Sequence, residues 1–367
     1  VFDPGKYSDR MANSQRRIDI TSRFEEPDRV PIRISAGGSY WCRLFGHDIA
    51  QYYRDVALQI EVQLKGLEWA FEELRDDRTG CALFTDLGPV GEGLLWGCDL
   101  ERPAGTSPWI VPCVHTLEDI ERLPIPDPAE APGIRWALAQ HARMQELARA
   151  RGLALDVSGG VGIHPPLSAA CALAPADRVY EWMYTEPEHI RLFFDKLLEA
   201  FFRLNEFSSR HFGVREQRAI GLADDNSAFI SDEMYRQMVL PYNQAIYDRY
   251  GKDERRLHAD GPNDHHFETY AEVLKLTHMD IGGFSDIAAA KRALAGKVVM
   301  SGGLNCKDLY GDFEAARPII ERAVRIGAPG GGYIFAIGGE TYPGVRPDTL
   351  VRAVEHVEEI GRYPITI

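Results

Sequence analysis

Apolar positions along the chain fall into two alternating rhythms. Short apolar runs bounded by Gly, Pro or acids read as buried strands; longer stretches with apolar residues three and four apart read as helices. Residues 30–34 form the first run, followed by a Gly-rich turn over residues 35–41. A long helix is expected over residues 48–74. Residues 81–113 hold β-like pieces (82–84, 94–96 and 109–111) broken by Gly and Pro, which predicts an inserted hairpin-like region covering one end of the core. Residues 116–120 read as a helical turn, and residues 123–128 as a stiff proline-rich connector too short to hinge two domains.

From residue 134 the pattern becomes regular. A helix over 134–151 leads to a strand over 153–157, a Gly/Pro loop over 159–166 and further helical segments. Thr185-Glu186-Pro187-Glu188 has capping-box spacing and opens a strong helix. Its stripe of Ile190, Phe193, Phe194, Leu197, Leu198, Phe201 and Leu204 keeps helical period and reads as core. Strands follow over 219–225, 255–261, 279–284, 297–303 and 333–338, with helices over 231–251, up to 276, over 312–326 and over 347–360. About seven or eight strands, each followed by helix, predict an α/β protein with a parallel sheet, and the length favours a closed (β/α)8 TIM barrel. No GxGxxG follows a strand and no P-loop is present, so a dinucleotide-binding sheet has no support. Met11 would make a natural start; residues 1–21 read as an N-terminal tail and residues 22–367 as one barrel domain.

Composition narrows the classes. With 45% hydrophobic and 26% charged residues, the 367-residue chain is expected to be a water-soluble globular protein. No apolar run is long enough to cross a bilayer and no secretory signal is visible, so a cytoplasmic protein is expected. A net charge of −14 argues against nucleic acid or an anionic membrane as partner. The 6 cysteines form no CxxC pair and read as scattered reduced thiols, with Cys306 the candidate for reactivity because it follows a strand.

Chemistry concentrates at strand ends, where a barrel keeps its active site. In Leu257-His258-Ala259-Asp260-Gly261, residues two apart point the same way, so His258 and Asp260 present an imidazole and a carboxylate together before Gly261 allows a turn. Other strand ends carry Asp156, Asp224 and Asp225, Asp286, Asn305, and Glu340. Singly, each acid reads more readily as a helix cap or a surface charge than as a functional group. Together, carboxylates converging on one mouth need a cation or a shared proton. Two chemistries fit: a divalent ion held by His258, Asp260 and Glu340, zinc or a harder ion, or acid–base work by Asp225 with His258 as shuttle. Tyr40 and Trp41 read either as an aromatic wall of the mouth or as packing. Asp156, Asp224 and Asn305 are the remaining candidates for substrate contact.

These residues carry a resemblance. Residues 26–31 (EPDRVP), 97–100, 116–120, Ala223-Asp224-Asp225, His258-Ala259-Asp260-Gly261 and Ser301-Gly302-Gly303-Leu304-Asn305 resemble the uroporphyrinogen decarboxylase superfamily, which includes corrinoid-linked methyltransferases. The resemblance runs from about Ser22 to near the end and implies a (β/α)8 barrel, in agreement with the strand count. True uroporphyrinogen decarboxylases carry an Arg-Gln-Ala-Gly-Arg stretch after the first strand. Here that place reads Arg33-Ile34-Ser35-Ala36-Gly37-Gly38, without the two motif arginines. Thiol-methylating relatives hold zinc with His-x-Cys and a later Cys. Here Asp260 replaces the first Cys, and Gly339, beside Glu340, falls where the second would be. The resemblance then implies a metal-assisted enzyme taking a methyl group from a small methylated substrate, a methoxy compound among the candidates, with a corrinoid on a partner protein as carrier and a homodimer as common assembly. Decarboxylation of a tetrapyrrole or other acidic substrate is the main rival. A non-catalytic corrinoid- or substrate-binding protein is the second.

Overall fold

The computed structural model describes residues 2–365. Eight parallel strands follow one another in barrel order: β1 (Ile32–Arg33), β2 (Ala82–Phe84), β3 (Asp156–Ser158), β4 (Ala219–Ala223), β5 (Glu254–His258), β6 (His278–Asp280), β7 (Val299–Gly302) and β8 (Tyr333–Ala336). Ladders join β4 through β8 in sequence and close β8 onto β1, with Ile32 opposite Phe335; β2 and β3 form a separate parallel pair. Among the described residues no ladder joins β1 to β2 or β3 to β4, so the (β/α)8 barrel is built as two hydrogen-bonded arcs. All four residues of β8 are buried, as expected of a strand covered by helices outside and by the lumen within.

Helices supply the outer layer. In Pro187–His211 the apolar stripe is core: Ile190, Phe193, Phe194, Leu197 and Leu204 are buried. Truncating Phe193 or Phe194 to Ala would cost about 3–5 kcal/mol by the usual transfer and cavity cost. The capping box expected at Thr185 does not form. The preceding helix, Ala176–Thr185, runs into it, and the Thr185 hydroxyl donates back to the Glu181 carbonyl at 3.1 Å. Pro187 starts the new helix instead, where its missing N–H is harmless. The helix expected over 48–74 is split because Asp55 accepts from the N–H groups of Ala57 and Leu58 and so starts a new helix, Val56–Trp69. That over 231–251 is interrupted by a π-turn, Tyr235–Val239, ahead of Pro241. No helix among the described residues is long and apolar enough to cross a membrane.

Two regions differ from the sequence expectation. Residues read as a tail contain a helix, Ser8–Ser22, after a short 3-10 turn. Its docking is polar as well as apolar. Tyr7 stacks on Phe71 with centroids 4.2 Å apart. Buried Asp77 receives Arg17 at 2.9 Å, Arg29 at 2.5 Å and the backbone N–H of Ile32 in β1 at 2.9 Å. The hairpin-like insertion is also narrower than expected. Ala82–Phe84 belongs to the barrel, and Leu94-Leu95-Trp96 lies on a helix, Gly91–Trp96, closed by Gly97 at φ 75°. Within the insertion, only Leu100–Glu101 and Trp109–Ile110 pair antiparallel. Cys98 and Cys113 bracket this hairpin with their Sγ atoms 2.8 Å apart, a proximity that sequence spacing did not reveal.

Candidate active site at the barrel mouth

His258 is the last residue of β5, and the parallel ladder places Asp280, the last residue of β6, directly beside it. In-register neighbours point to the same side, so both enter the lumen. His258 Nδ1 lies 3.0 Å from Asp280 Oδ2. The other Asp280 oxygen accepts the Gly282 N–H at 3.0 Å, which fixes the carboxylate. Nε2 of His258 therefore faces the mouth, 3.6 Å from Asp225 Oδ1 and 3.9 Å from Asp260 Oδ2. Asp225 follows β4 in a 3-10 turn, and its Oδ1 accepts the Asp260 N–H at 2.7 Å. One ligand atom each from Asp225, His258 and Asp260 lie within 4.8 Å of one another.

Three carboxylates around one imidazole set its charge. Burial works against the imidazolium, but the hydrogen bond and charge of Asp280, with the charges of Asp225 and Asp260, outweigh it and push His258 up to about 9. Burial raises the Asp260 carboxyl, opposed by the charge on His258 and helped by Asp225 and Asp280. Such a cluster carries surplus negative charge that a divalent cation would neutralise.

The donor set fits that cation. Around an ion with bonds of about 2.1 Å, tetrahedral ligands stand about 3.4 Å apart; the observed 3.6 and 3.9 Å need only small closure. Asp280 behind the imidazole is the carboxylate–histidine arrangement that fixes the tautomer of a metal-binding ring. Nitrogen and oxygen donors without a thiolate suit zinc or a harder ion.

Glu340, expected as the third ligand, is not in this group; Asp225 stands there instead. The reason is the turn after β8. Gly339, at φ 71°, lays its backbone against Asp260, so that a Cβ there would sit 2.7 Å from Asp260 Oδ2. Glu340 is thereby turned away, its carboxylate lying against Gly37. It lines a cavity of about 570 Å³ that also takes in Trp41, Arg33, Asp280 and Ser301. Glu340 as a whole is exposed, and its carboxylate end is crowded by the Gly37 backbone. Burial by the walls, with the charge of Asp86 added, pushes its carboxyl up to about 7.

The other expected residues divide. Trp41 is buried and lines the cavity wall; Tyr40 beside it is buried packing with its hydroxyl unpartnered among the described residues. Asp224 is fully buried below the mouth, held by Ser168 at 2.7 Å and Asn243 at 2.8 Å, and its burial pushes it up to about 6. Asn305 spends its side chain on Lys307 N–H and the Gly283 carbonyl. Asp156 opens β3 rather than ending it, because the strand starts three residues later than expected; it faces a different surface cavity. Cys306 is buried, and burial raises its thiol, which removes the case for a reactive cysteine.

Sequence reasoning missed two features. Asp280 carries the same i, i+2 alternation with His278 that singled out His258, but its meaning depends on cross-strand register. The second is Glu92–His164: Glu92, fully buried, accepts both the backbone N–H of His164 at 2.6 Å and its Nδ1 at 2.9 Å.

A (β/α)8 barrel with a histidine–carboxylate cluster at the C-terminal mouth of its strands has the architecture on which enzymes of many chemistries are built. A family model for uroporphyrinogen decarboxylase (URO-D) matches residues 13–360, and the chain belongs to that family. Among curated relatives, the uroporphyrinogen decarboxylase of Shewanella amazonensis is 23% identical over 326 residues, covering 86% of each chain. That of Saccharopolyspora erythraea is 26% identical over 288 residues, covering 71% of this chain and 73% of its own. Among solved structures, a methyltransferase from Methanosarcina mazei superposes with a TM-score of 0.69 at 16% identity, over 94% of this chain and 98% of that one. That likeness shows the shared fold.

Proposed function

We propose that the protein takes a methyl group from the oxygen of a small methylated compound and passes it to a corrinoid carried by a partner protein, using a divalent ion held by His258, Asp225 and Asp260. The observation that carries this reading is the His258 ring, fixed at Nδ1 by Asp280 and aimed at two carboxylates through Nε2. The likeness to the Methanosarcina mazei methyltransferase supports the reaction class. The bound ion would supply a Lewis acid that polarises the substrate oxygen. The chain's own residues do the rest. Asp280 holds His258 in the tautomer with hydrogen on Nδ1, leaving the Nε2 lone pair for the ion. Asp225 ties the Asp260 backbone to the cluster, so the two carboxylates move as one unit. Trp41 forms part of the wall of the 570 Å³ cavity that reaches Asp280.

A second reading, decarboxylation of an acidic substrate, is favoured by one observation. The Arg33 guanidinium opens on the same cavity and has no carboxylate partner among the described residues. The two readings part in one experiment. Zinc-loaded protein is incubated with guaiacol and cob(I)alamin, and methylcobalamin is followed by absorbance; separately, carbon dioxide release is measured from uroporphyrinogen. Methylcobalamin formation that needs His258 supports methyl transfer. Carbon dioxide release without methylcobalamin overturns it, and corrinoid binding without either product points to a non-catalytic carrier.

A further inference from the structure

A second chamber of about 350 Å³ adjoins the cluster on the far side of Asp225. Its walls are mostly apolar: Trp109 and Ile110 from the hairpin, Pro89 and Pro112, with Cys171 below. Of its polar groups, Ser168 is committed to Asp224, and the Asn226 side chain is committed to Tyr180. The Asp225 carboxylate and the ring of His164 keep spare hydrogen-bonding capacity, as does the indole N–H of Trp109 in the exposed wall.

His164 is built into place. Gly91 approaches the Gly162 carbonyl so closely that a Cβ at residue 91 would lie 1.9 Å from it. That contact seats Glu92 under the loop, where its Oε1 takes both the backbone and the Nδ1 of His164. A fully buried carboxylate is costly to keep unless a charged or strongly polarised partner answers it, and the remaining Glu92 oxygen has no partner among the described residues. His164 Nε2 makes no protein hydrogen bond among the described residues, and the ring lines the chamber. The charges facing the ring are those of Glu92, Asp225 and Asp224; burial opposes its protonated form, and Glu92 leads in outweighing that, so its pKa is raised.

We propose that this chamber is the substrate subsite, that it takes a small aromatic ring bearing an oxygen substituent, and that His164, positioned by Glu92, hydrogen-bonds that oxygen through Nε2. The inference rests on the proposed methyl transfer for its chemical step. The bond between oxygen and the methyl carbon breaks, the methyl group leaves to the corrinoid cobalt(I) without the bonding pair, the pair stays on oxygen, and the Nε2 proton of His164 joins it. Trp109 and Ile110 supply the apolar contact that orients the ring.

Binding is tested apart from turnover, on metal-free protein without corrinoid, with guaiacol and toluene as probes. Calorimetry is expected to show guaiacol binding weakened about ten- to a hundredfold by His164→Gln, the loss typical of a hydrogen bond to a charged group, with toluene binding unchanged. Trp109→Ala should weaken both. In protein labelled with 13C at histidine Cε1, guaiacol should shift the His164 resonance, and Glu92→Gln should lower its titration midpoint while the fold stays intact by circular dichroism. Guaiacol binding that ignores His164→Gln, a shift confined to other histidines, or no guaiacol binding at millimolar concentration overturns the proposal. Loss of methyl transfer with His164-dependent binding preserved would sink the reaction and leave the subsite; methyl transfer that survives His164→Gln at full rate would do the reverse.

Discussion

Replacing Asp280 by Asn perturbs the cluster without emptying it. The amide is nearly isosteric but has a single oxygen, so it can accept from His258 Nδ1 or from the Gly282 N–H and not from both; it removes the charge and one of the two hydrogen bonds. Two opposing effects follow. A carboxylate behind a ligating imidazole makes the ring a better donor, and changing such a group typically costs about 10–100-fold in metal affinity, or about 1.4–2.7 kcal/mol. The same carboxylate is a main reason His258 is pushed up to about 9. An ion arriving at neutral pH must therefore displace a proton. With a midpoint near 9, the protonated ring outnumbers the neutral one roughly a hundredfold at pH 7, although 35% exposure of the ring screens part of this. The Asp280→Asn substitution weakens the ion and the competing proton together. The affinity loss should then be small at pH 6.5 and approach tenfold or more at pH 8.5, where the proton no longer competes strongly. Competition titrations of chelator-stripped protein with zinc and a chromophoric chelator at both pH values would measure it. Equal zinc affinity in wild type and Asp280→Asn at pH 8.5, both folded, would refute the orienting role of Asp280; a loss greatest at low pH would refute the proton-competition argument.

Three further outcomes are expected. Glu340→Gln should raise the melting temperature at pH 8 and leave it nearly unchanged at pH 4. The folded carboxyl sits at about 7 against an ordinary 4.5, so stability is lost as pH rises from the ordinary value through the folded one; a pH-independent difference in calorimetry would contradict this. Gly339→Ala should cost about 1 kcal/mol or more in urea unfolding, because φ is 71° and the new Cβ would meet Asp260. It should also weaken zinc binding, and wild-type affinity would show that Asp260 is no ligand. Asp77→Ala should cost about 3–5 kcal/mol, since it leaves Arg17, Arg29 and the Ile32 N–H around an empty buried site; limited proteolysis should then cut within Ser8–Ser22 first, and an intact helix would contradict the anchoring role.

The fold was legible where burial repeats in a pattern. From β4 onward each strand was expected within a few positions: β4, β7 and β8 are mainly apolar runs, whereas β5 (ERRLH) and β6 (HMD) hold one apolar residue each and are marked by the turn residues that follow them. The first three strands carry little such signal: β1 has two residues, one of them Arg33, and β2 and β3 have three each. That is why Ala82–Phe84 read as part of an insertion and Asp156 as a strand end. Leu94-Leu95-Trp96 misled because three apolar residues fit one buried helical turn as well as a strand. At the mouth, His258, Asp260 and Asp225 were legible because each lies next to a strand terminus in sequence. Asp280 was not, because its contact with His258 comes from the β5–β6 register. Glu340 was placed one residue off in effect: a left-handed glycine before it decides which way its side chain goes, and φ is not written in residue type.

The central claim is that Asp225, His258 and Asp260 hold a divalent ion. Its most direct test is elemental analysis of the purified protein after loading with zinc and gel filtration, beside His258→Ala treated identically. Close to one zinc per chain in the wild type, with loss of most of it in His258→Ala and retained folding by circular dichroism, is the predicted result. No stoichiometric metal in the wild type under any loading condition, or equal metal in the variant, would contradict it.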